Sequence, residues 1–339
     1  MIHNRQLFIH STPSVSLPRR RPASLSGMPI LDEPRRSYSR AEAYAYCERM
    51  ARTRYENVPV ASRFVPEPVR PHVLSIYAFA RAADDFADEP EFHGKRQTAL
   101  DEWKNELIRT FHGEADHPIF VALRETVERC DLPITPFTEL LTAFRMDINP
   151  LPPATFEELR TYCRHAAEPL GQLMLLVFGY RDPALLGFAA DLCTGLQLAS
   201  FLQDLGRDLP RGRLFLPLED LRHFGILPAG VRTAPASAHL LGASSRAWRD
   251  LLRFQVARAR ALLERGRPLL DQVGSDLAIE LELTYASGQA ILDKIEVLGD
   301  EVLRGRPTLG RADRARVLGK SLGRRWPQVL LRRGELWDF

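Results

Sequence analysis

"YAFARAADDFADE", residues 77–89, places Asp84, Asp85 and Asp88 within five residues of an otherwise apolar, alanine-rich segment. The stretch it belongs to, "PEPVRPHVLSIYAFARAADDFADE", opens with prolines, which the first turn of a helix tolerates because the missing N–H has no partner there. Residues three or four apart on a helix share a face, so Tyr77, Arg81, Asp84 and Asp88 form one polar stripe. Asp85 lies about 100° round from Asp84, near enough to assist it. The other faces carry Ile76, Phe79, Phe86 and five alanines. On a surface helix this stripe is solvated charge with Arg81 as an ion-pair partner. On a buried helix it calls for a bound cation.

A second cluster lies about 120 residues on. In "GLQLASFLQDLGRDLPRGRLFLP" (195–217), Gln197, Ser200, Asp204 and Asp208 fall at steps of three, four and four, again on one face. Pro210 and Gly212 end the helix, and Arg211 and Arg213 follow as candidates for reaching an anion or for capping the helix C-terminus. Either cluster alone reads readily as a solvated pair. Together, two acidic faces turned towards one cavity would repel strongly without cations between them. Oxygen-only ligands suit Mg²⁺, which keeps several waters and bridges carboxylates to substrate phosphates. The expectation is a diphosphate held by Mg²⁺, with Arg and Tyr as further donors. Such a site neutralises a departing diphosphate, so that a C–O bond ionises to a carbocation in a dry helical-bundle core. Phe79, Phe144, Phe178, Phe188 and Phe201 are candidates to stabilise that cation, each equally readable as plain core.

The bulk numbers agree with a soluble globular protein: 339 residues, 45% hydrophobic and 26% charged. A net charge of +3 argues neither for nor against nucleic acid, and no nucleic-acid partner is expected. Cys47, Cys130, Cys163 and Cys193 are far apart without a CxxC, the pattern of packed thiols in a cytoplasmic protein. No run approaches the roughly 20 apolar residues of a membrane helix; "LGQLMLLVFGY" (170–180) comes nearest. Helical periodicity predicts helices over 39–53 with Ser39 as cap, over the first-cluster segment, and over 97–112, 118–130, 136–146, 155–180, 184–208, about 240–265 and 275–303. Nothing alternates like a strand. The reading is one all-α domain over 38–303, between a disordered leader, 1–37, and a basic tail, 304–339. The tail holds ten Arg and Lys between Arg304 and Arg333 with Asp313 as the only acid. It is either a solvated tail or an element that touches anionic lipid, which places the protein in the cytoplasm with an optional peripheral contact at the inner membrane.

The two motifs resemble the Asp-rich motifs of the squalene/phytoene synthase family, the trans-isoprenyl diphosphate synthases that join chains head to head. The likeness runs from about Tyr55 to Arg306. "RYENVPVASRFVPEPVRPHVLSIYAFARAADDFADEP", "YCRHAAEPLG" and "RFQVARARALL" look most like its bacterial hydroxysqualene synthase branch. The resemblance implies an isoprenoid-synthase helical bundle with a central cavity and Mg²⁺ at its mouth. It implies Asp84, Asp88, Asp204 and Asp208 as metal ligands and catalytic residues. It places Tyr77, Arg81, Tyr162 and Gln197 at the diphosphate end, with Asn57, Asp85, Ser200 and Arg213 as further substrate-binding candidates. The implied reaction is ionisation of presqualene diphosphate with water capture to give hydroxysqualene, alongside other squalene and hopanoid enzymes. The alternatives are condensation of two farnesyl diphosphates, and a non-catalytic assembly factor on the same fold. Ser200 stands where the family usually has Asn, Phe215 where it has Tyr, Glu168 where the branch has a neutral polar residue, and Gln203 where some relatives carry Arg. His165 is a candidate to guide the trapping water, and Tyr285 to line the cavity; packing roles are the competing readings.

Overall fold

Five helices start where a side chain supplies a partner for the open N–H groups of the first turn, in a computed structural model that describes residues 36–54, 65–227, 244–321 and 323. Ser39 and Glu42 cap α1 (Arg40–Arg54) reciprocally. The Ser39 N–H donates to Glu42 Oε2 at 2.9 Å, and the Glu42 N–H to Ser39 Oγ at 3.3 Å. α2 (Arg70–Asp88) carries Pro71 in its first turn and is followed by α3 (Arg96–Phe111). His117 caps α4 (Pro118–Cys130) by accepting the Ile119 N–H, and Asp131 closes it in the left-handed conformation at φ 47°. α5 (Thr135–Ile148) follows. Thr155 caps α6 (Phe156–Ala166), Asp182 caps α8 (Pro183–Asp208), and Ser244 caps α10 (Ser245–Gly266). Among the described residues there is no strand, as the sequence pattern requires.

The single helix expected over 155–180 is two. The chain breaks at Ala167 (φ −121°, ψ −46°) and resumes as α7 (Glu168–Val177). Pro169 is the cause: it has no N–H to give the His165 carbonyl, and its ring crowds that carbonyl. Helices α9 (Leu218–His223) and α11 (Leu269–Gln272) escaped the periodicity because six and four residues hold little of it. α12 (Ser275–Leu298) tightens into a 3-10 turn, Gly299–Leu303, and residues 311–321 form α13 within the stretch read as tail.

The chain divides into two compact units. The first takes the described residues up to 148 and then 173–180; the second takes 149–172 and the described residues from 181 onward. In the first unit α2 packs against α1, α3, α4 and α5. Its alanines bring the backbones close, and Trp103 fills the centre, wholly buried. Trp103 lies 4.4 Å from Phe120 and 5.3 Å from Phe86 by ring centroids, and its Nε1–H donates to the Phe79 carbonyl at 3.3 Å.

In the second unit α8 packs on α10 and α12. Gly266 permits the approach: a Cβ there would lie 2.6 Å from the Leu192 nitrogen. Among the described residues, Pro183–Arg211 is the one helix long and apolar enough to cross a membrane, by length and composition. It is a better candidate than residues 170–180, because its charged residues are spaced widely enough to leave a long apolar window. Its window is 61% buried in the fold, as a core helix should be. All four cysteines are free, and burial pushes the Cys47 thiol up to about 12, which keeps it protonated.

Candidate active site

The first cluster is an ion-pair fork on α2. Arg81 is only 8% exposed, and its guanidinium reaches Asp84 Oδ2 through Nη1 at 2.9 Å and Asp85 Oδ1 through Nη2 at 2.5 Å. Glu89 lies further off, at 3.9 Å. One planar cation thus spans two carboxylates, the geometry at which Arg excels and Lys does not. The fork follows from sequence alone, because Asp84 and Asp85 stand three and four residues beyond Arg81. Asp85, 1% exposed, is the inner member; Asp84, Asp88 and Tyr77 are only partly covered. Asn57 lies outside the described residues.

The second cluster sits at the end of α8, and a distant segment completes it. Arg306 donates from Nε to Asp204 Oδ1 at 2.5 Å and from Nη2 to Oδ2 at 3.3 Å. The same Nη2 donates to Gln203 Oε1 at 3.2 Å, while Gln203 Nε2 donates to the Pro307 carbonyl at 2.7 Å. Gly206 makes room for this strap: a Cβ there would come within 2.5 Å of the Val302 carbonyl oxygen. Two turns before Asp204, Gln197 is buried, and its Oε1 has no hydrogen-bond partner among the described residues. Ser200 and Asp208 are half-buried on the same face. The Asp208 carbonyl accepts the Arg213 N–H at 3.0 Å, which folds the arginine-bearing loop back on the helix end.

Tyr162 belongs to this second cluster through aromatic packing. Phe215 stacks on Phe201 at 4.2 Å and 5°, and Tyr162 lies 5.9 Å from Phe201 and 5.5 Å from Phe215. Phe215 is therefore a full member of an aromatic wall beside Asp204. Glu168 accepts from Thr194 Oγ1 at 2.8 Å, which satisfies the carboxylate that departs from the branch pattern. His165 is half-buried on α6. Tyr285 donates to Glu264 Oε1 at 2.5 Å and lines a groove of about 620 Å³ between α12 and α13.

Arg306 is the residue sequence reasoning missed. It counts among the tail cations, and nothing local marks it as the partner of an aspartate 102 residues away. Among the described residues no three His, Cys, Asp or Glu side chains converge into a ready cation cage. The donors present still fit Mg²⁺: they are all oxygens, the Gln197 oxygen is unsatisfied among the described residues, and Asp204 already holds a cation in Arg306.

Residues 51–313 match the squalene/phytoene synthase family. The chain belongs to that family. It is 28% identical to the phytoene synthase of Arthrospira platensis over 80% of this chain and 89% of the relative. Among solved structures it is similar to the squalene synthase HpnC of Alicyclobacillus acidocaldarius, at 40% identity and a TM-score of 0.70, covering 76% of this chain and 94% of the other. A dehydrosqualene synthase crystallised with a ligand shares the fold at 22% identity and a TM-score of 0.70, over 84% and 96% of the two chains. The fold is thus the all-α isoprenoid-synthase fold, and family membership makes the protein a prenyltransferase-type enzyme of isoprenoid biosynthesis.

Proposed function

We propose that this enzyme ionises presqualene diphosphate and lets water capture the rearranged cation, releasing hydroxysqualene and diphosphate as a carbon–oxygen lyase of squalene and hopanoid formation. The observation that carries the reading is the 40% identity to the squalene synthase HpnC across 94% of that chain. Named phytoene synthases stand lower, at 28% for the Arthrospira relative.

The chemistry asked of the residues is modest. The C–O bond breaks with its electron pair leaving on the diphosphate, water adds to the cation, and the proton it loses goes to the released diphosphate. No oxidant or reductant enters. Asp84 and Asp88 on α2, with Asp204 and Asp208 on α8, are the residues that would hold Mg²⁺. When bound, the metal supplies positive charge to the leaving diphosphate. Arg81 and Tyr77 bind diphosphate oxygens, and the fork to Asp84 and Asp85 holds the guanidinium in one orientation. Gln197, Ser200 and Arg213 add donors at the α8 end, with Asn57 as a further one. The wall of Tyr162, Phe201 and Phe215 offers ring faces to a cation.

A second reading, head-to-head condensation of two prenyl diphosphates, is favoured by the phytoene synthase relatives. Purified enzyme with Mg²⁺ separates the two. Presqualene diphosphate should yield hydroxysqualene, while farnesyl diphosphate alone stays unreacted. Turnover of farnesyl diphosphate with presqualene diphosphate left intact would reverse the choice. Asp84→Ala and Asp204→Ala should each keep the helical circular dichroism and lower diphosphate release at least about a hundredfold. Release at the wild-type rate in both variants would remove the clusters from catalysis.

A further inference from the structure

The segment from 304 to 321 carries Arg304, Arg306, Arg311, Arg314, Arg316 and Lys320 against one acid, Asp313. Its fold sorts these charges by direction. Arg306 turns inward to Asp204. Asp313 also turns inward: its Oδ2 accepts Lys294 Nζ at 2.5 Å and the Gly310 N–H at 2.8 Å. Lys294 gives a further bond to the Thr308 carbonyl at 2.6 Å, so α13 is latched to α12 through the one acid it owns. What α13 shows to solvent is Arg311, Arg316 and Lys320, interleaved with Ala312, Ala315 and Leu318, all exposed. Asp313, the one acid of α13, is half-buried and lies 3.8 Å from Arg316 Nη1, so the exposed residues of α13 carry net positive charge. Across the groove, Val297 of α12 is 86% exposed, an unusual position for a branched aliphatic residue.

We infer that this face of α13, with Val297 beside it, docks the enzyme on an anionic bilayer surface. Cations spaced along a helix lying on the protein surface match a sheet of lipid phosphates, each Lys or Arg near such a surface contributing about 1 kcal/mol. The apolar side chains between them decide against nucleic acid or an acidic protein. Leu318 and Val297 gain nothing from a phosphate backbone or a carboxylate patch, whereas they enter the headgroup boundary of a membrane. The inference does not depend on which reaction the enzyme performs.

Co-sedimentation of the full chain with vesicles tests it. Vesicles of phosphatidylcholine with about 30% phosphatidylglycerol should pull the protein down, pure phosphatidylcholine should do so weakly, and added salt should release it. Arg316→Glu/Lys320→Glu should weaken binding to the anionic vesicles about 30-fold. Arg246→Glu/Arg253→Glu, an equal charge change at exposed positions on α10, should weaken it far less. All variants should melt at the wild-type temperature, which separates lost docking from lost fold. Equal binding by wild type and Arg316→Glu/Lys320→Glu overturns the proposal, as does equal loss in the α10 control. Capture by duplex RNA or polyglutamate as tight as by the anionic vesicles overturns it too.

Discussion

Arg81 holds the buried Asp85 and the half-buried Asp84 at once, so its removal leaves Asp85 charged and enclosed. Arg81→Met should therefore lower unfolding stability by about 3 kcal/mol, the usual cost of breaking a buried pair from one side. Arg81→Met/Asp85→Asn should recover much of that loss, because the stranded charge goes with it. Urea titration of both variants decides; a double variant no more stable than Arg81→Met would mean that lost packing, and not the stranded charge, dominates. Arg306 offers the reverse case. It is the cation that Asp204 holds without metal, so Arg306→Ala should melt lower in metal-free buffer and gain more from Mg²⁺ than wild type does. Equal gains in melting temperature would show that Arg306 and the metal do not share Asp204. The two arginines also mark how far a sequence can be read. The Arg81 fork is written in steps of three and four along one helix. The Arg306 pair joins residues 102 apart, and only the path of the chain after α12 brings them together.

At the scale of the element, α8 contains its own experiment in two glycines. Gly187 is exposed, and a Cβ there would meet nothing within 4 Å. Gly206 stands where a Cβ would reach 2.5 Å from the Val302 carbonyl oxygen and 2.9 Å from that of Leu303. Alanine is the better helix former by about 1 kcal/mol at either position. Gly187→Ala should raise stability by up to about that amount. Gly206→Ala should lower it by about 1–3 kcal/mol, because two backbone oxygens have to move. It should also weaken the Arg306–Asp204 contact, and so share the enhanced Mg²⁺ response of Arg306→Ala. Chemical denaturation of the pair checks the first claim, and a gain in stability from both substitutions would deny the close approach. Most helices were legible because caps and prolines sit at their starts: Ser39, His117–Pro118 and Asp182–Pro183 all mark first turns. The break at Ala167 was missed because apolar periodicity runs straight through it, although Pro169 carries the physical reason.

For the whole molecule, periodicity tells which face of a helix is buried but not which helices it joins, so the division into two units left no trace in the sequence. Each unit nevertheless contributes one titrating group that shapes global stability. In the first, His72 Nδ1 lies 3.0 Å from Thr126 Oγ1 and 3.2 Å from Tyr44 OH. Burial holds its pKa below 6.5, Arg129 adds to that, and Glu125 opposes it. The unfolded chain takes up the proton first, so this contribution is whole above about pH 6.5 and is lost as pH falls below it. In the second, Glu280 has a buried Oε2 without a partner among the described residues, and burial raises its pKa from 4.5 to about 7. Here the folded state keeps the proton that the unfolded state gives up. Stability then declines as pH rises from about 4.5 to about 7, by roughly 3 kcal/mol in all. Glu280→Gln removes that decline. Its urea midpoint should exceed that of wild type clearly at about pH 8, and the two should converge towards pH 4.5. His72→Gln should instead flatten the acid limb and leave the alkaline limb as it was. Midpoints for the three proteins across this range test both statements. A Glu280→Gln curve running parallel to wild type would place the Glu280 carboxyl in water, and the alkaline limb would then need another group.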